Sequence, residues 1–261
     1  MSTVEFITEL FCRVDDAMKE VAKHSQSRLY PSEVVTLGLL FAIKGVGNRA
    51  FYRWVERDYL CLFPSMPERT RLFRLFAAHQ QWTERFLAQP TILGVADTYG
   101  IELLHPMREG RSPHQIGKKG LSNRRWIVGA KLGMVLNKWG LVAAWDYNSA
   151  NVHDAIFQPM VARFADEMIV LTDHGFHLRT GDPSNMKICE PNTWNDRMLI
   201  ERVLSMLHTV CHLKHMAHRV WSYLGARLAF CMAAFNILAQ WHGLVSDELG
   251  RVHLSIAQFS L

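Results

Sequence analysis

The chain has 261 residues, of which 49% are apolar and 20% are charged, and its net charge is +5. That composition excludes a long disordered, coiled-coil or collagen-like chain, and the length provides one large domain or two small ones. The best candidate for a membrane span, residues 220–241, is interrupted by Arg227, Asn236 and Gln240, so we expect no membrane segment. Acidic residues within the first 25 positions argue against a signal peptide.

Residues 1–88 are predicted to form a helical N-terminal region. Apolar residues recur at helical spacing from Val4 to Met18, which predicts a first helix. A second helix is expected to begin at a Ser32 cap and to end near Gly45. Two further helices are expected, the last of which starts near Glu68.

Residues 89–261 have a mixed pattern of strands and helices. Apolar or alternating runs predict strands at 91–96, 126–137, 141–147, 168–172 and 187–189. Helices are predicted at 151–165 and from about 193 to 241, and an extended loop is predicted at 105–125. This order favours an α/β fold with a mixed sheet flanked by helices.

Two acidic residues directly follow apolar strands. Asp97 follows strand 91–96 and Asp173 follows strand 168–172, so we expect both carboxylates side by side at one edge of the sheet. A loop cap or an Asx turn is the alternative role for either residue alone. Asp146 and Asp154 are rivals for the second acid, and Asp154 is also suited to beginning a helix.

A third acid, Glu201, belongs to a polar stripe on the last predicted helical segment. The stripe, at spacings of three and four, is Trp194, Arg197, Glu201, Ser205, His208, His212, His215 and Arg219. A single acid followed by histidines and arginines suits a surface that faces metal and phosphate, whereas a solvated helix face is the alternative. Zinc binding by the three histidines is disfavoured because no HExxH motif is present.

The positive charge is concentrated in residues 105–131. This segment carries seven cations and one acid, so its net charge is +6, whereas the rest of the chain sums to −1. The cations are Arg108, Arg111, Lys118, Lys119, Arg124, Arg125 and Lys131. A basic surface of this kind is compatible with nucleic acid. The alternative is a solvated loop that only aids solubility.

The five cysteines, by contrast, suggest neither a disulfide framework nor a structural zinc site. They are Cys12, Cys61, Cys189, Cys211 and Cys231, an odd number without CxxC spacing. We therefore expect reduced thiols in a cytoplasmic protein.

Several motifs in these segments resemble those of bacterial insertion-sequence transposases of the DDE type. The matching segments are VADT at 95–98, ANVHD at 150–154, LTDHGF at 171–176, WNDRMLIERVLSML at 194–207 and GARLAFCMAAFNIL at 225–238. The basic RSPHQIGKKG and the following RRWIVGAKLG are also similar, and the resemblance covers about residues 91–240. Residues 1–88 resemble this family more weakly.

The resemblance implies an RNase H-like catalytic domain at 89–261, preceded by a helical region at 1–88 that is a candidate for DNA binding. The family's catalytic, metal-binding acids carry over to Asp97, Asp173 and Glu201. They are expected to hold two Mg²⁺ ions, with Mn²⁺ able to substitute, because two ions about 4 Å apart serve both ends of an in-line displacement at phosphorus.

The same resemblance identifies residues for DNA contact. Around the last acid, the family pattern Tyr-x2-Arg-x3-Glu-x6-Lys is matched by Trp194, Arg197, Glu201 and His208, so two of the four residue types are retained. The expected DNA-binding residues are Arg108, Arg111, Lys118, Lys119, Arg124, Arg125, Arg197 and His208.

The implied activity is metal-dependent cleavage and strand transfer at the ends of an insertion sequence. The expected partners are double-stranded DNA, as terminal inverted repeats and as target, and further copies of the chain in a homo-oligomer on DNA. The expected location is the nucleoid in the bacterial cytoplasm. The alternatives are an inactive or domesticated copy that binds DNA without cutting it, and an RNase H-like nuclease that ignores element ends.

Overall fold

A computed structural model of the protein describes residues 1–122, 124–189, 197–245 and 252–261. In these ranges the chain is a mixed α/β protein, with a six-stranded mixed sheet flanked by helices. The sequence-based prediction of a mixed sheet between helices is therefore confirmed.

The N-terminal region is helical, as predicted. Its helices are α1 (Thr3–Ala17), α2 (Pro31–Lys44), α3 (Asn48–Asp58) and α4 (Arg69–Ala78). Ser2 and Glu5 form a capping box at the start of α1, and Gly45 ends α2 with a φ of +66°, a conformation that favours glycine. The predicted Ser32 cap is wrong, because α2 begins one residue earlier, at Pro31, and Ser32 is buried inside it.

The sheet is built around two long antiparallel strands. Its strands are β1 (Leu93–Leu104), β2 (Lys118–Ser122), β3 (Arg125–Asn137), β4 (Val142–Ser149), β5 (Ile169–Thr172) and β6 (Met186–Ile188). The order is β2-β3-β1-β5-β6, and β4 also pairs with β3. The pairs β1–β5 and β5–β6 are parallel, whereas every pair that includes β3 is antiparallel.

Two predicted boundaries in the strand region are wrong. The first strand does not end before Asp97 but continues to Leu104, because β3 supplies an antiparallel partner along this whole length. Likewise, the predicted loop at 105–125 contains β2, which pairs with the start of β3.

The predicted helices after β4 are also shorter than expected. The segment 151–165 contains a 3-10 turn, Asp154–Phe157, followed by the short helix α5 (Gln158–Ala162). The long segment from 193 is divided into α6 (Arg197–Val210) and α7 (Trp221–His242), while positions 193–196 lie outside the described residues. His212, with a φ of +53°, lies in the break, so His212, His215 and Arg219 do not continue the polar stripe of α6.

The hydrophobic core occupies both faces of the sheet. The larger cluster joins one face to α6, α7 and the N-terminal helices, and the smaller cluster packs the other face against α5. Helix α2 lies so close to α7 that a Cβ on Gly38 would come within 2.3 Å of the Phe230 ring. The division predicted at residues 88 and 89 stays a prediction, although both parts contribute to the larger cluster.

Helix α7 is the core helix of this arrangement. Among the described helices it alone is long and apolar enough by itself to cross a membrane, and α2 with α3 pass the same test only as a pair bent by 116°. The most apolar window of α7 is 89% buried inside the protein, which is the packing of a core helix.

Candidate active site

Four carboxylates and one lysine line a cavity of about 180 Å³ where β1, β3, α6 and the segment after β5 meet. We call this the acid cavity. Its charged residues are Asp97, Lys131, Asp154, Asp173 and Glu201. The three acids expected from the sequence to be catalytic are thus brought to one place from three separate parts of the chain.

Asp97 and Asp173 reach the acid cavity on neighbouring parallel strands. The pairing of β1 with β5 ends at Val95 and Leu171, so each aspartate lies two residues beyond the last pair. Adjacent strands are only about 4.8 Å apart, which accounts for the proximity of the two residues. The N–H of Thr98 donates to Asp97 Oδ1 at 2.7 Å, and the N–H of Gly175 donates to Asp173 Oδ1 at 2.9 Å.

Glu201 comes from α6, which packs its apolar side into the core. Ile200, Val203 and Leu204 are buried, whereas Glu201 is exposed to the acid cavity, which Leu204 also lines. Because the apolar side fixes the rotation of α6, the position of Glu201 follows from the amphipathic pattern of the helix.

Lys131 and Asp154 form an ion pair in the same cavity that the sequence did not predict. Lys131 is only 9% exposed, and its Nζ donates to Asp154 Oδ1 at 2.5 Å and to the carbonyl of Val152 at 2.6 Å. The sequence feature that could have indicated this ion pair is a lysine within the apolar strand WIVGAKLGMVL, because a buried cation requires a partner. Asp154 begins its 3-10 turn, as anticipated for a helix start.

Gly175 brings Asp154 and Asp173 close together. A Cβ at Gly175 would lie 2.7 Å from Asp154 Oδ2 and 3.0 Å from Asp173 Oδ1. The two carboxylate oxygens are therefore less than about 6 Å apart, and a side chain at position 175 would displace both. The Lys131 ammonium offsets part of the negative charge at this point.

Asp146, the other rival for the second acid, lies elsewhere. It is exposed on β4 and lines a separate cavity with Tyr147 and Arg163. Its Oδ1 accepts the N–H of Tyr147 at 2.7 Å, the same local contact that Asp97 makes with its own neighbour. Asp146 therefore makes the same backbone hydrogen bond as Asp97 but lies outside the acid cavity.

The basic segment borders the acid cavity through the hairpin of β2 and β3. Leu121 and Ser122, at the end of β2, line the cavity. The cations expected to contact DNA in this segment are all exposed, namely Arg108, Arg111, Lys118, Lys119, Arg124 and Arg125. Arg125 also pairs with Glu102 at 2.9 Å, an exposed contact that contributes little stability.

Two of the residues expected to contact DNA, Arg197 and His208, lie on α6. Arg197 begins the helix, one turn before Glu201, and its side chain lies outside the described part of the chain. The ring of His208 packs against that of Tyr99 at a tilt of 52°, with ring centroids 4.7 Å apart. Burial, together with the charge of Lys214, lowers the pKa of His208 to about 4, so the ring is neutral at pH 7 and does not replace the cation of the family's lysine.

The donor atoms of the acid cavity suit a hard cation. Within the described ranges, no three His, Cys, Asp or Glu side chains form a ready-made metal site. However, Mg²⁺ is typically bound through one or two carboxylates, together with water and substrate phosphates, and does not need a complete protein cage. The carboxylate oxygens of the acid cavity therefore fit Mg²⁺, whereas a structural zinc site would require nitrogen or sulfur ligands.

No protein-family model, no curated protein and no solved structure matches the chain. The function is therefore inferred from the acid cavity and from the sequence motifs that supply its residues.

Proposed function

We propose that the protein is a DDE-type transposase with an RNase H-like core, which cuts DNA at the ends of an insertion sequence and joins them to target DNA. One observation carries the proposal: Asp97, Asp173 and Glu201, the residues that the sequence resemblance assigns as catalytic, line one cavity. Chance does not readily bring together three acids from β1, the end of β5 and α6.

The sheet supports the same assignment. Two of the acids lie two residues beyond the last pair of the adjacent parallel strands β1 and β5, and the third lies on a helix packed against β1. An RNase H-like arrangement accounts for this combination of a mixed sheet, flanking helices and acids from separate segments.

Asp97, Asp173 and Glu201 are the residues that would hold Mg²⁺, or Mn²⁺ in its place. When bound, the metal would neutralise charge at the scissile phosphate and lower the pKa of an attacking water. Lys131 holds Asp154 beside these acids, because its Nζ donates one hydrogen bond to the Asp154 carboxylate and a second to the carbonyl of Val152.

Besides holding the metal, the protein has to position the phosphates of the DNA backbone. The cations of the β2–β3 hairpin lie next to the acid cavity, where they would bind the DNA backbone on either side of the bond to be cut. The helical region at 1–88 would extend the DNA contact, and a homo-oligomer at the nucleoid would hold two element ends together.

The test is a cleavage assay on DNA from either side of the gene. Purified protein is incubated with labelled duplexes that contain the short inverted repeats found there, in Mg²⁺ or in EDTA, and nicks and joined products are resolved on denaturing gels. We expect Mg²⁺-dependent cuts at the repeat ends. Binding without cutting would instead support an inactive, domesticated copy, and cutting without regard to the ends would support a general nuclease.

The basic hairpin gives a prediction for binding. Replacing Lys118 and Lys119 by Ala is expected to weaken duplex binding similarly for all sequences, because phosphate contacts carry no sequence information. Each lost contact should also lower the slope of log affinity against log salt concentration by about 0.9. Fluorescence anisotropy at several salt concentrations measures both effects.

A matched pair of exposed lysines away from the hairpin, Lys138 and Lys187, provides the control. The Lys138→Ala/Lys187→Ala protein should keep the slope of the unaltered protein. If the hairpin variant also keeps that slope while its circular dichroism is unchanged, the segment is solvated surface and does not bind phosphate.

A further inference from the structure

One cation of the basic segment differs from the other six. All seven cations of residues 105–131 belong to the described part of the chain, and six of them are exposed, whereas Lys131 is 9% exposed. Its register partners are Gly100 on β1 and Asn148 on β4, so Lys131 lies on a strand that is paired on both sides. Lys131 is therefore not placed to contact DNA phosphates at the surface, and its charge acts within the protein.

The Lys131 ammonium offsets negative charge in the acid cavity. The cavity is lined by four carboxylates and this one ammonium, which gives it a formal charge of −3. Nζ donates to Asp154 Oδ1 at 2.5 Å, and its second hydrogen bond, to the carbonyl of Val152 at 2.6 Å, holds Nζ in place. The side chains of Lys131 and Asp154 are only 11% and 25% exposed, so salt and water screen this charge weakly.

Asp154 links the ammonium to one of the acids that would hold metal. Its Oδ1 accepts from Lys131, whereas its Oδ2 and Asp173 Oδ1 border the same space, which a side chain at Gly175 would fill. Two carboxylates this close repel each other, and the Lys131 charge reduces the repulsion. The ammonium thus stabilises the acid cavity of the metal-free protein, but the same charge repels a divalent cation that enters it.

We propose that Lys131 lowers the affinity of the acid cavity for divalent metal, and that Asp154 limits this effect by neutralising the ammonium. The inference rests on the proposed function and adds a regulation of its metal site. The balance of charge in the ion pair sets the metal concentration at which the acid cavity is filled.

The two members of the ion pair should have opposite effects on metal affinity. Lys131→Met changes the formal charge of the cavity to −4, and Asp154→Asn changes it to −2. Mn²⁺ should bind about tenfold tighter to the first variant and about tenfold more weakly to the second, the order expected for one unit charge near a divalent cation in a partly hydrated cavity. The double variant restores −3 and should bind Mn²⁺ within about threefold of the unaltered protein.

The experiment titrates Mn²⁺ alone into the purified protein and measures free Mn²⁺ by electron paramagnetic resonance. Thermal unfolding in EDTA and at one fixed Mn²⁺ concentration gives a second readout that does not depend on catalysis. A ligand stabilises the folded state that binds it, so the rise in midpoint caused by Mn²⁺ should be largest in Lys131→Met and smallest in Asp154→Asn.

An ion pair with a purely structural role would give a different pattern. Breaking the pair from either side would disturb the cavity, so both single variants would bind Mn²⁺ more weakly. If Lys131→Met does not fold, the comparison of Asp154→Asn with the double variant measures removal of the same ammonium. Mn²⁺ should then bind about tenfold tighter to the double variant than to Asp154→Asn.

Lys138→Met and Asp146→Asn are the matched controls. Both residues are exposed and lie outside the acid cavity, so each variant should bind Mn²⁺ within about twofold of the unaltered protein. A change in either control as large as that in the cavity variants would show that the effect does not depend on position, which would overturn the inference.

The outcomes separate this inference from the proposed function. Any result in which the two charge removals do not shift Mn²⁺ affinity in opposite directions would overturn the inference and leave the transposase proposal intact. If the unaltered protein binds no Mn²⁺, either alone or with repeat-end DNA, both would be overturned.

Discussion

Replacing Asp97, Asp173 or Glu201 by the matching amide is expected to lower the rate of Mg²⁺-dependent DNA cleavage by about a thousandfold or more. Each amide removes one anionic oxygen donor from the acid cavity without changing the size of the side chain. Bound metal ions contribute several kcal/mol of charge stabilisation in such reactions, and each 1.36 kcal/mol corresponds to a factor of ten in rate. Single-turnover cleavage of repeat-end duplexes measures the loss.

DNA affinity should change much less in the same variants. Affinity for DNA comes mainly from lysine and arginine contacts to phosphates, and none of the three acids makes such a contact. Anisotropy in EDTA should therefore give dissociation constants within about threefold of the unaltered protein. A variant that loses binding together with cleavage would indicate damage to the fold.

Asp146→Asn is the matched control. Asp146 and Asp97 both accept the N–H of the next residue at 2.7 Å, but Asp146 lies outside the acid cavity. Its amide variant should cleave normally. Normal cleavage by Asp97→Asn, or equal losses in Asp97→Asn and Asp146→Asn, would contradict a catalytic role for the acid cavity.

The approach of Asp97 to Asp173 could be anticipated from the sequence, because two apolar runs each followed by an acid suggest neighbouring strands. The position of Glu201 could also be anticipated, since the apolar side of α6 determines which way the helix faces. The Lys131–Asp154 pair could not, because it joins residues 23 positions apart on β3 and on a 3-10 turn. Their contact depends on how β3 pairs with β4, and local sequence patterns carry no information on that pairing.

The errors in the predicted fold have the same origin. Strand β1 extends through Gly100 and Glu102 because β3 lies alongside, although these residue types are disfavoured in strands. Strand β2 has the polar sequence KKGLS and is held by its pairing with β3. The break between α6 and α7 begins at Cys211, with no glycine or proline nearby to indicate it. In each case tertiary contacts override local propensity.

The largest effect on stability is expected at Arg227, a charged residue in the core. It lies on α7 with 4% exposure, and its guanidinium donates to the carbonyls of Phe41 and Ala42 and, at 3.5 Å, to that of Cys211. Phe41 and Ala42 are in the last turn of α2, where carbonyls have no partner within the helix. Arg227 therefore caps α2 from α7. Burial lowers its pKa, which reflects the cost of keeping this charge away from water.

Replacing Arg227 by Met is expected to reduce the free energy of unfolding by about 3 kcal/mol, because the carbonyls of Phe41 and Ala42 at the end of α2 lose their donor while the side chain stays similar in length. For a chain of this size the midpoint of thermal unfolding should fall by roughly 6–12 °C. Calorimetry or circular dichroism measures the shift. Arg227→Lys keeps the positive charge but has fewer hydrogen-bond donors. Its unfolding midpoint should therefore lie between those of the unaltered protein and Arg227→Met.

The control is Arg219→Met, which alters an exposed arginine just before α7 and should shift the midpoint by less than about 2 °C. Equal shifts in the two Met variants would show that the contacts of Arg227 with α2 contribute nothing to stability.

The shape of the thermal unfolding transition tests the predicted domain boundary between residues 88 and 89. Because Arg227 joins α2 to α7 and both helices belong to one hydrophobic cluster, the intact protein should unfold in a single step. Weakening this link in Arg227→Met should broaden or split that step only if the two regions are separate domains.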